Sequence, residues 1–437
     1  MKTTNINIPK LRFPEFSGEW ETKTLINLSE NGFSNGAFND PKKVGSGYLL
    51  INVKDMYVDG TINPDNLTRV ALDENEFLKN RVEFGDLFFT RSSLVKEGIA
   101  YSNVNLNRID DLTFDGHLIR MRPNQKTTSP IYLYYCFSTN TARLQFIRRG
   151  KTTTMTTIGQ EDIATVEISI PTLPEQQKIA TFLTAVDEKL QALKQKKTLL
   201  EQYKKGVMQR IFNQSLNLDS QNSLNHDLSD LPDDHDFEKQ ENQKSGQSSE
   251  SQKSRFRQLR FKDENGNEFP KWEKKKLGEV FSTIATKKYQ IKSSGFNSFG
   301  KYKIVDQGQE LIAGYSDKTE NVFKDFPVIV FGDHTTIVKY INFEFIVGAD
   351  GTKLLKNKNQ DNLKYLYYNL CFNNVEQQGY KRHFTMLSEI LIQLPSLQEQ
   401  TRIANFLTAI DEKINHTETQ IQQTQEYKKG LLQKMFV

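Results

Sequence analysis

At 437 residues, with 36% hydrophobic and 11% aromatic residues, the chain is too long for one ordinary domain and holds apolar material for two or three cores. The formal net charge is only +4, and two cysteines, Cys136 and Cys371, exclude a disulfide framework and a zinc knuckle, so two reduced, buried thiols are expected. No apolar run reaches membrane-span length and residues 1–9 lack a signal-peptide core, so a soluble, cytoplasmic protein is expected.

In chain order, Leu11-Arg12-Phe13 comes first, followed by Trp20 and Leu25. Strand-like runs lie at 48–53, 87–90 and 117–122. Tyr132-Leu133-Tyr134-Tyr135 falls inside a helical pattern that ends near Arg148-Arg149-Gly150-Lys151-Thr152. From Pro171 a long helix begins, with proline and an acidic residue suited to its N-terminus. Ile179, Leu183, Val186, Leu190, Leu193, Lys197, Leu200, Lys204, Val207 and Ile211 follow at alternating four- and three-residue steps, the seam of a coiled coil.

Residues 213–254 hold nine acidic residues against three lysines, a charge of 3 − 9 = −6, so the remainder carries 4 + 6 = +10. This Gln, Asn, Ser and Asp-rich stretch reads as a disordered linker, and the basic remainder is compatible with a polyanionic partner.

The elements then return. Leu259-Arg260-Phe261 precedes Trp272 and Leu277, strand-like runs lie at 302–305, 328–331 and 345–347, and Tyr365-Leu366-Tyr367-Tyr368 precedes Gly379-Tyr380-Lys381-Arg382-His383. Pro395-Ser396-Leu397-Gln398-Glu399-Gln400 repeats Pro171-Thr172-Leu173-Pro174-Glu175-Gln176, and the match runs ungapped to Tyr427-Lys428-Lys429-Gly430 against Tyr203-Lys204-Lys205-Gly206 at a constant offset, 395 − 171 = 224. The second seam reads Ile403, Leu407, Ile410, Ile414, Thr417, Ile421, Thr424, Lys428, Leu431 and Met435. Ile421 stands where the first has Lys197, so the two helices should complement each other as an antiparallel pair within the chain. Some forty helical residues make a rod of roughly 60 Å. Gly206 and Gly430 are candidates to end or bend the helices early.

The expected organisation is α+β. A mixed α/β globule at 1–169 precedes a spacer helix at 170–212 and the acidic linker at 213–254, and a second globule at 255–393 precedes a helix at 394–437.

Two divergent globules, each followed by a near-identical helix opening Pro-x-Leu-x-Glu-Gln and closing Tyr-Lys-Lys-Gly, resemble the specificity subunits of type I restriction–modification systems. The resemblance covers nearly the whole chain, and the long acidic linker departs from it. It implies two target recognition domains that each read half of a bipartite, asymmetric site in double-stranded DNA. The paired helices would space the half-sites and dock two modification subunits, which use S-adenosylmethionine to methylate adenine. Restriction subunits would add translocation and cleavage with ATP and magnesium. By the same resemblance, Glu175, Phe182, Leu183, Leu190, Tyr203, Glu399, Phe406, Leu407, Ile414 and Tyr427 belong to the spacer and partner helices.

The sequence holds no Gly-x-Gly-x-x-Gly or Walker loop, no amino-methyltransferase Asn/Asp-Pro-Pro-aromatic run, and no nuclease arrangement of carboxylates and lysine. A non-catalytic chain with no cofactor or metal of its own is expected; a fused enzyme lacks its motifs. A coiled-coil adaptor or decoy that binds partner subunits without reading a site is the alternative. The candidate DNA-contacting residues are Arg91, Ser92, Ser93, Lys96, Arg148, Arg149, Lys151, Thr152 and Thr154 in the first half, and His334, Thr335, Lys339, Lys381, Arg382 and His383 in the second. Arginine can read guanine bidentately, lysine holds phosphates, and threonine or serine does either. The tyrosine runs read as helix core rather than as stacking platforms for bases.

Overall fold

The computed structural model describes residues 7–38, 41–213, 222–223, 259–348, 350–379 and 381–437. Most of the expected linker, and Tyr380, lie outside the described residues. The chain forms two compact units, one of Met1–Lys194 with Thr419–Val437, the other of Gln195–Glu418. Each unit therefore contains a globule, the start of the long helix that follows it, and the end of the other long helix.

The first globule is built on a four-stranded antiparallel sheet in the order Ser29–Asn35, Leu118–Pro123, Leu87–Thr90, Ser102–Val104. A second sheet pairs Val44–Ile51 antiparallel with Thr68–Val70 and parallel with Leu112–Phe114. The second globule repeats the four-stranded order as Phe281–Ile284, Thr352–Asn357, Val328–Gly332, Val338–Ile341. Apolar β-branched and aromatic runs such as Leu87-Phe88-Phe89 and Val328-Ile329-Val330-Phe331 suit strands covered on both faces, and all seven side chains are fully buried. The tyrosine helices, Pro130–Ser138 and Leu363–Phe372, lie against these sheets. The first is followed by a further helix, Asn140–Arg149; in the second unit Asn373 ends the helix, and among the described residues no counterpart follows. Cys136 is buried as expected, whereas Cys371 is exposed.

One short motif joins globule to helix, and does so twice. Glu175 is 1% exposed and accepts from Arg12 Nε and Nη2 at 2.8 and 2.7 Å and from Trp20 Nε1 at 3.3 Å. Glu399, fully buried, accepts from Arg260 Nε and Nη2 at 2.8 and 3.0 Å and from Trp272 Nε1 at 2.8 Å. The neighbouring glutamines reach the tyrosine helices: Gln176 Oε1 accepts from Ser129 N and Gln400 Oε1 from Asn362 N, both at 2.8 Å. Both donors are N-cap residues, so the Glu-Gln pair orients three segments around each helix start.

The long helices span Leu173–Phe212 and Leu397–Met435. The seam positions of both are buried or half-buried. In the first unit Asp187 pairs with Lys428; in the second, Asp411 pairs with Lys204 and Glu418 with Lys197. The partner numbers run in opposite directions, so the pairing is antiparallel, and the Asp187 and Asp411 pairs exchange under the 224-residue offset. Each aspartate also accepts the hydroxyl of a tyrosine in its own globule, Tyr135 at 2.9 Å and Tyr368 at 2.7 Å. Beyond these pairs the helix ends enter the cores: Phe436 lies 5.2 Å from Tyr132 and 6.5 Å from Trp20, while Phe212 lies 5.8 Å from Tyr365.

Gly206 and Gly430 do not end their helices, which continue to Phe212 and Met435. A Cβ at either glycine would have no neighbour within 4 Å. Gly206→Ala and Gly430→Ala are accordingly expected to stabilise the fold by up to about 1 kcal/mol each, seen as a higher urea midpoint. In contrast, Glu175→Gln should destabilise by roughly 2 kcal/mol, because it removes the buried carboxylate from a half-buried Arg12 guanidinium and leaves an amide donor facing it; the same urea titration reads it.

Candidate nucleic-acid interface

In the first unit the two loops singled out by their basic residues meet. The strand Leu87–Thr90 ends at Arg91, whose N–H donates to His117 O at 3.1 Å and whose carbonyl accepts from Ile158 N at 3.0 Å. Ser92 and Ser93 then pair with Thr157 and Thr156, which in turn pair with Lys151 and Thr152. The outcome is a small three-stranded sheet that joins residues some sixty apart in sequence into one surface. Arg91, Lys96, Arg148, Lys151, Thr152 and Thr154 are exposed on it, and Ser92 and Ser93 are half-buried. Thr152 and Thr156 hydroxyls lie 2.9 Å apart, and Lys151 Nζ is 3.3 Å from Asp162 Oδ2. Glu97, on the same loop as Lys96, and Glu161 are also exposed.

Arg149 has a different role. Its Nε and Nη2 donate to Thr165 Oγ1 and O at 3.1 and 3.0 Å, which ties the helix end to the segment before the next strand.

The second unit gathers its loops by other means. After Val328–Gly332 the chain turns tightly through 333–336, with Thr336 at φ 58°, and a Cβ at Gly332 would fall 2.1 Å from Thr335 Oγ1. Buried Asp333 is the staple: its carbonyl accepts from His383 N at 2.9 Å and its Oδ1 from Phe384 N at 2.8 Å. His334 Nδ1 lies 3.1 Å from Lys381 O, and Thr335 Oγ1 donates to Gln307 O at 2.6 Å. Lys381 and Arg382 are exposed, with Asp350 and Glu376 the nearby exposed acids, and His334 and Thr335 are half-buried.

Two residues expected to face DNA belong to the interior instead. Lys339 is 5% exposed, and its ammonium donates to Asp306 O at 2.9 Å and to Glu310 O. Burial pushes its pKa down, with Asp306 acting against that shift. His383 is fully buried; its Nδ1 lies 2.9 Å from Asp333 O, and its Nε2 accepts from Gln378 N at 3.0 Å. That pattern assigns a neutral ring protonated at Nδ1. Each follows a strand or glycine in a basic stretch, a pattern that does not reveal which way a side chain turns.

Other residues at the loops carried no basic signature and were missed. Asn35 Nδ2 donates to Gly116 O and Leu118 O at 3.2 and 3.1 Å, and its Oδ1 accepts from Gln160 Nε2 at 2.6 Å. His117 stands at the rim, its Nδ1 2.7 Å from buried Asp115. Gln307 is the corresponding bracket in the second unit, with its Oε1 accepting from His334 N at 3.2 Å and its Nε2 donating to Asp350 O at 2.9 Å.

The tyrosine runs are helix core. Tyr132, Tyr365 and Tyr368 are fully buried, and Tyr132 and Tyr365 hydroxyls donate to Ser169 O and Gln393 O at 3.1 and 2.8 Å. Of the spacer residues, Leu183 and Leu407 are buried, Leu190 and Ile414 half-buried, and Phe182 packs edge-on to Phe13 with centroids 5.8 Å apart. Phe406 packs likewise on Phe261 at 5.7 Å. Tyr203 is half-buried and Tyr427 is 55% exposed.

Among the described residues no group of three or more His, Cys, Asp or Glu side chains is placed to hold a metal ion. None of the described helices is long and apolar enough to cross a membrane. A groove of about 370 Å³ lined by Arg81, Phe84, Arg108 and Gln125 precedes the strand that ends at Arg91, so it lies away from the paired loops.

The two globules share one strand order, and each closes paired polar loops at equivalent strand ends and is tied to a duplicated helix. The chain belongs to the type I restriction modification DNA specificity domain family, whose model matches residues 19–202 and 270–426. A Methanocaldococcus jannaschii protein described as a type I restriction enzyme MjaX specificity subunit is 23% identical over 449 aligned positions, covering 98% of this chain and 95% of its own. The EcoR124I/EcoR124II specificity subunit of Escherichia coli is 29% identical over 96 residues, 21% of this chain and 24% of that one. A type I restriction–modification S subunit from M. genitalium has the same fold, with a TM-score of 0.58 at 14% identity, covering 98% of this chain and 99% of that one.

Removal of the Lys339 ammonium should leave the Asp306 and Glu310 carbonyls without their buried donor. Lys339→Ala is expected to lower stability by roughly 2 kcal/mol, measured by urea unfolding.

Proposed function

We propose that this specificity subunit reads a bipartite, asymmetric sequence in double-stranded DNA, one half-site at each loop cluster, and docks two modification subunits on its repeated helices. The observation that carries the reading is that, in both units, loops distant in sequence are bonded into one polar surface at equivalent strand ends. Arg91, Arg148, Lys151, Lys381 and Arg382 would contact phosphates or guanine edges, and the serines and threonines between them would contact either. The difference between the two clusters suits an asymmetric site, and the repeated helix surfaces suit two copies of one partner. The chain itself is non-catalytic. S-adenosylmethionine belongs to the modification subunits, ATP and magnesium to the restriction subunits, and the complex works in the cytoplasm.

The test is a map of methylated adenines in cells that carry this chain with its modification subunit, against cells lacking only this chain. A single two-part motif that vanishes in the control is expected; unchanged methylation would favour an adaptor or decoy. In vitro, Arg148→Ala and Lys151→Ala should each weaken binding to all sequences about equally. Each should also lower the log–log salt slope by about one where the residue meets a phosphate; a slope and an affinity both equal to wild type would remove that residue from the interface.

A further inference from the structure

One loop of the first unit displays aliphatic side chains from a rigid mount. Leu94 is 87% exposed and Val95 60% exposed. Isolated aliphatic residues on a surface carry no message by themselves. What sets these two apart is the base that holds them. Arg143, from the helix Asn140–Arg149, donates to the carbonyls of Glu97, Ile99 and Ala100 at 2.8, 2.6 and 2.7 Å. Ala100 adopts φ 50°, a left-handed conformation that a non-glycine residue keeps only where its surroundings impose it. Gly98 is packed so closely that a Cβ would meet Ser93 Oγ at 2.5 Å. On the other side, Ser92 and Ser93 are strand-paired to Thr157 and Thr156.

The loop is thus preorganised, and it keeps two apolar side chains in water at a cost in hydration free energy. Its surroundings indicate the partner. Arg91 and Lys96 flank the pair on the same loop and Lys151 stands two strands away, all exposed, against Glu97 on the loop itself. An aliphatic tip between cations is suited to a surface that is anionic outside and apolar within, which describes stacked base pairs beneath phosphates.

We propose that Leu94, backed by Val95, is an apolar wedge that enters a groove of the duplex and partly unstacks one base step in the half-site met by the first unit. This rests on the DNA-reading function above. The equivalent turn of the second unit, Asp333-His334-Thr335-Thr336, presents polar groups bonded to neighbouring loops and no exposed aliphatic tip. That turn therefore supplies no counterpart of the wedge, and sequence preference at the first half-site includes the deformability of a step that no hydrogen bond reads.

The experiment uses the full chain with its modification subunits and duplexes of the mapped target in which 2-aminopurine replaces one base at a time across both half-sites. Apart from the target adenines, which the modification subunits turn out of the stack, binding is expected to raise fluorescence at one further step, in the half-site met by the first unit. Leu94→Ala should abolish that rise and weaken binding about tenfold. If the wild-type complex binds and no further position brightens, or if Leu94→Ala brightens as wild type does, the wedge is overturned while DNA reading stands. Absence of wild-type binding overturns the DNA reading and the wedge together. The wild-type measurement decides the matter even where Leu94→Ala does not fold.

Discussion

Everything in this protein hangs on a carboxylate buried in the first turn of a helix. Glu175 and Glu399 each sit out of water, and each is held by a bidentate guanidinium and an indole N–H from the segment that opens its globule. A buried charge is tolerable only when paired and hydrogen-bonded, so the arrangement admits little slack. The adjacent glutamine reaches the N-cap of the tyrosine helix. Two consecutive side chains thereby fix the entry segment, the long helix and the helix behind the sheet. The helix N-terminus also favours the negative charge placed there.

The second constraint is reciprocal closure. Each globule's core is completed by the end of the long helix that follows the other globule: Leu431, Met435 and Phe436 in one, Val207, Ile211 and Phe212 in the other. Apolar seam positions supply the burial, but Asp187–Lys428 and Asp411–Lys204 supply the register. A charged pair that also receives a tyrosine hydroxyl tolerates no one-residue slip, whereas a purely aliphatic seam would. The cost of such pairs in desolvation is moderated here, since all four side chains remain about a quarter exposed.

Much of this was legible in the sequence because the repeat is nearly identical where the contacts are identical. The Glu-Gln pair, the Leu-Arg-Phe entry, the tryptophans and the seam are the residues whose partners recur, and they stand out by recurring. The core strands were legible from their continuous apolar runs. The recognition loops were less so. Their basic residues pointed to the right segments, but Lys339 and His383 share that composition and face inward, because only the turn at 333–336 decides their direction. Asn35, His117, Gln160 and Gln307, which bracket the loops, carry no signature that distinguishes them from ordinary polar residues. Leu94 would pass in the sequence for a strand residue; its exposure depends on Arg143, about fifty residues later.

The central claim is that the two loop clusters act as separate readers. Hydroxyl-radical footprints of the mapped duplex test it most directly, taken with wild type, with Arg91→Ala/Lys151→Ala, and with Lys381→Ala/Arg382→Ala. Two protected half-sites are predicted for wild type, with each double variant losing protection at a different one. A single protected site, or two variants that weaken the same half, would contradict it.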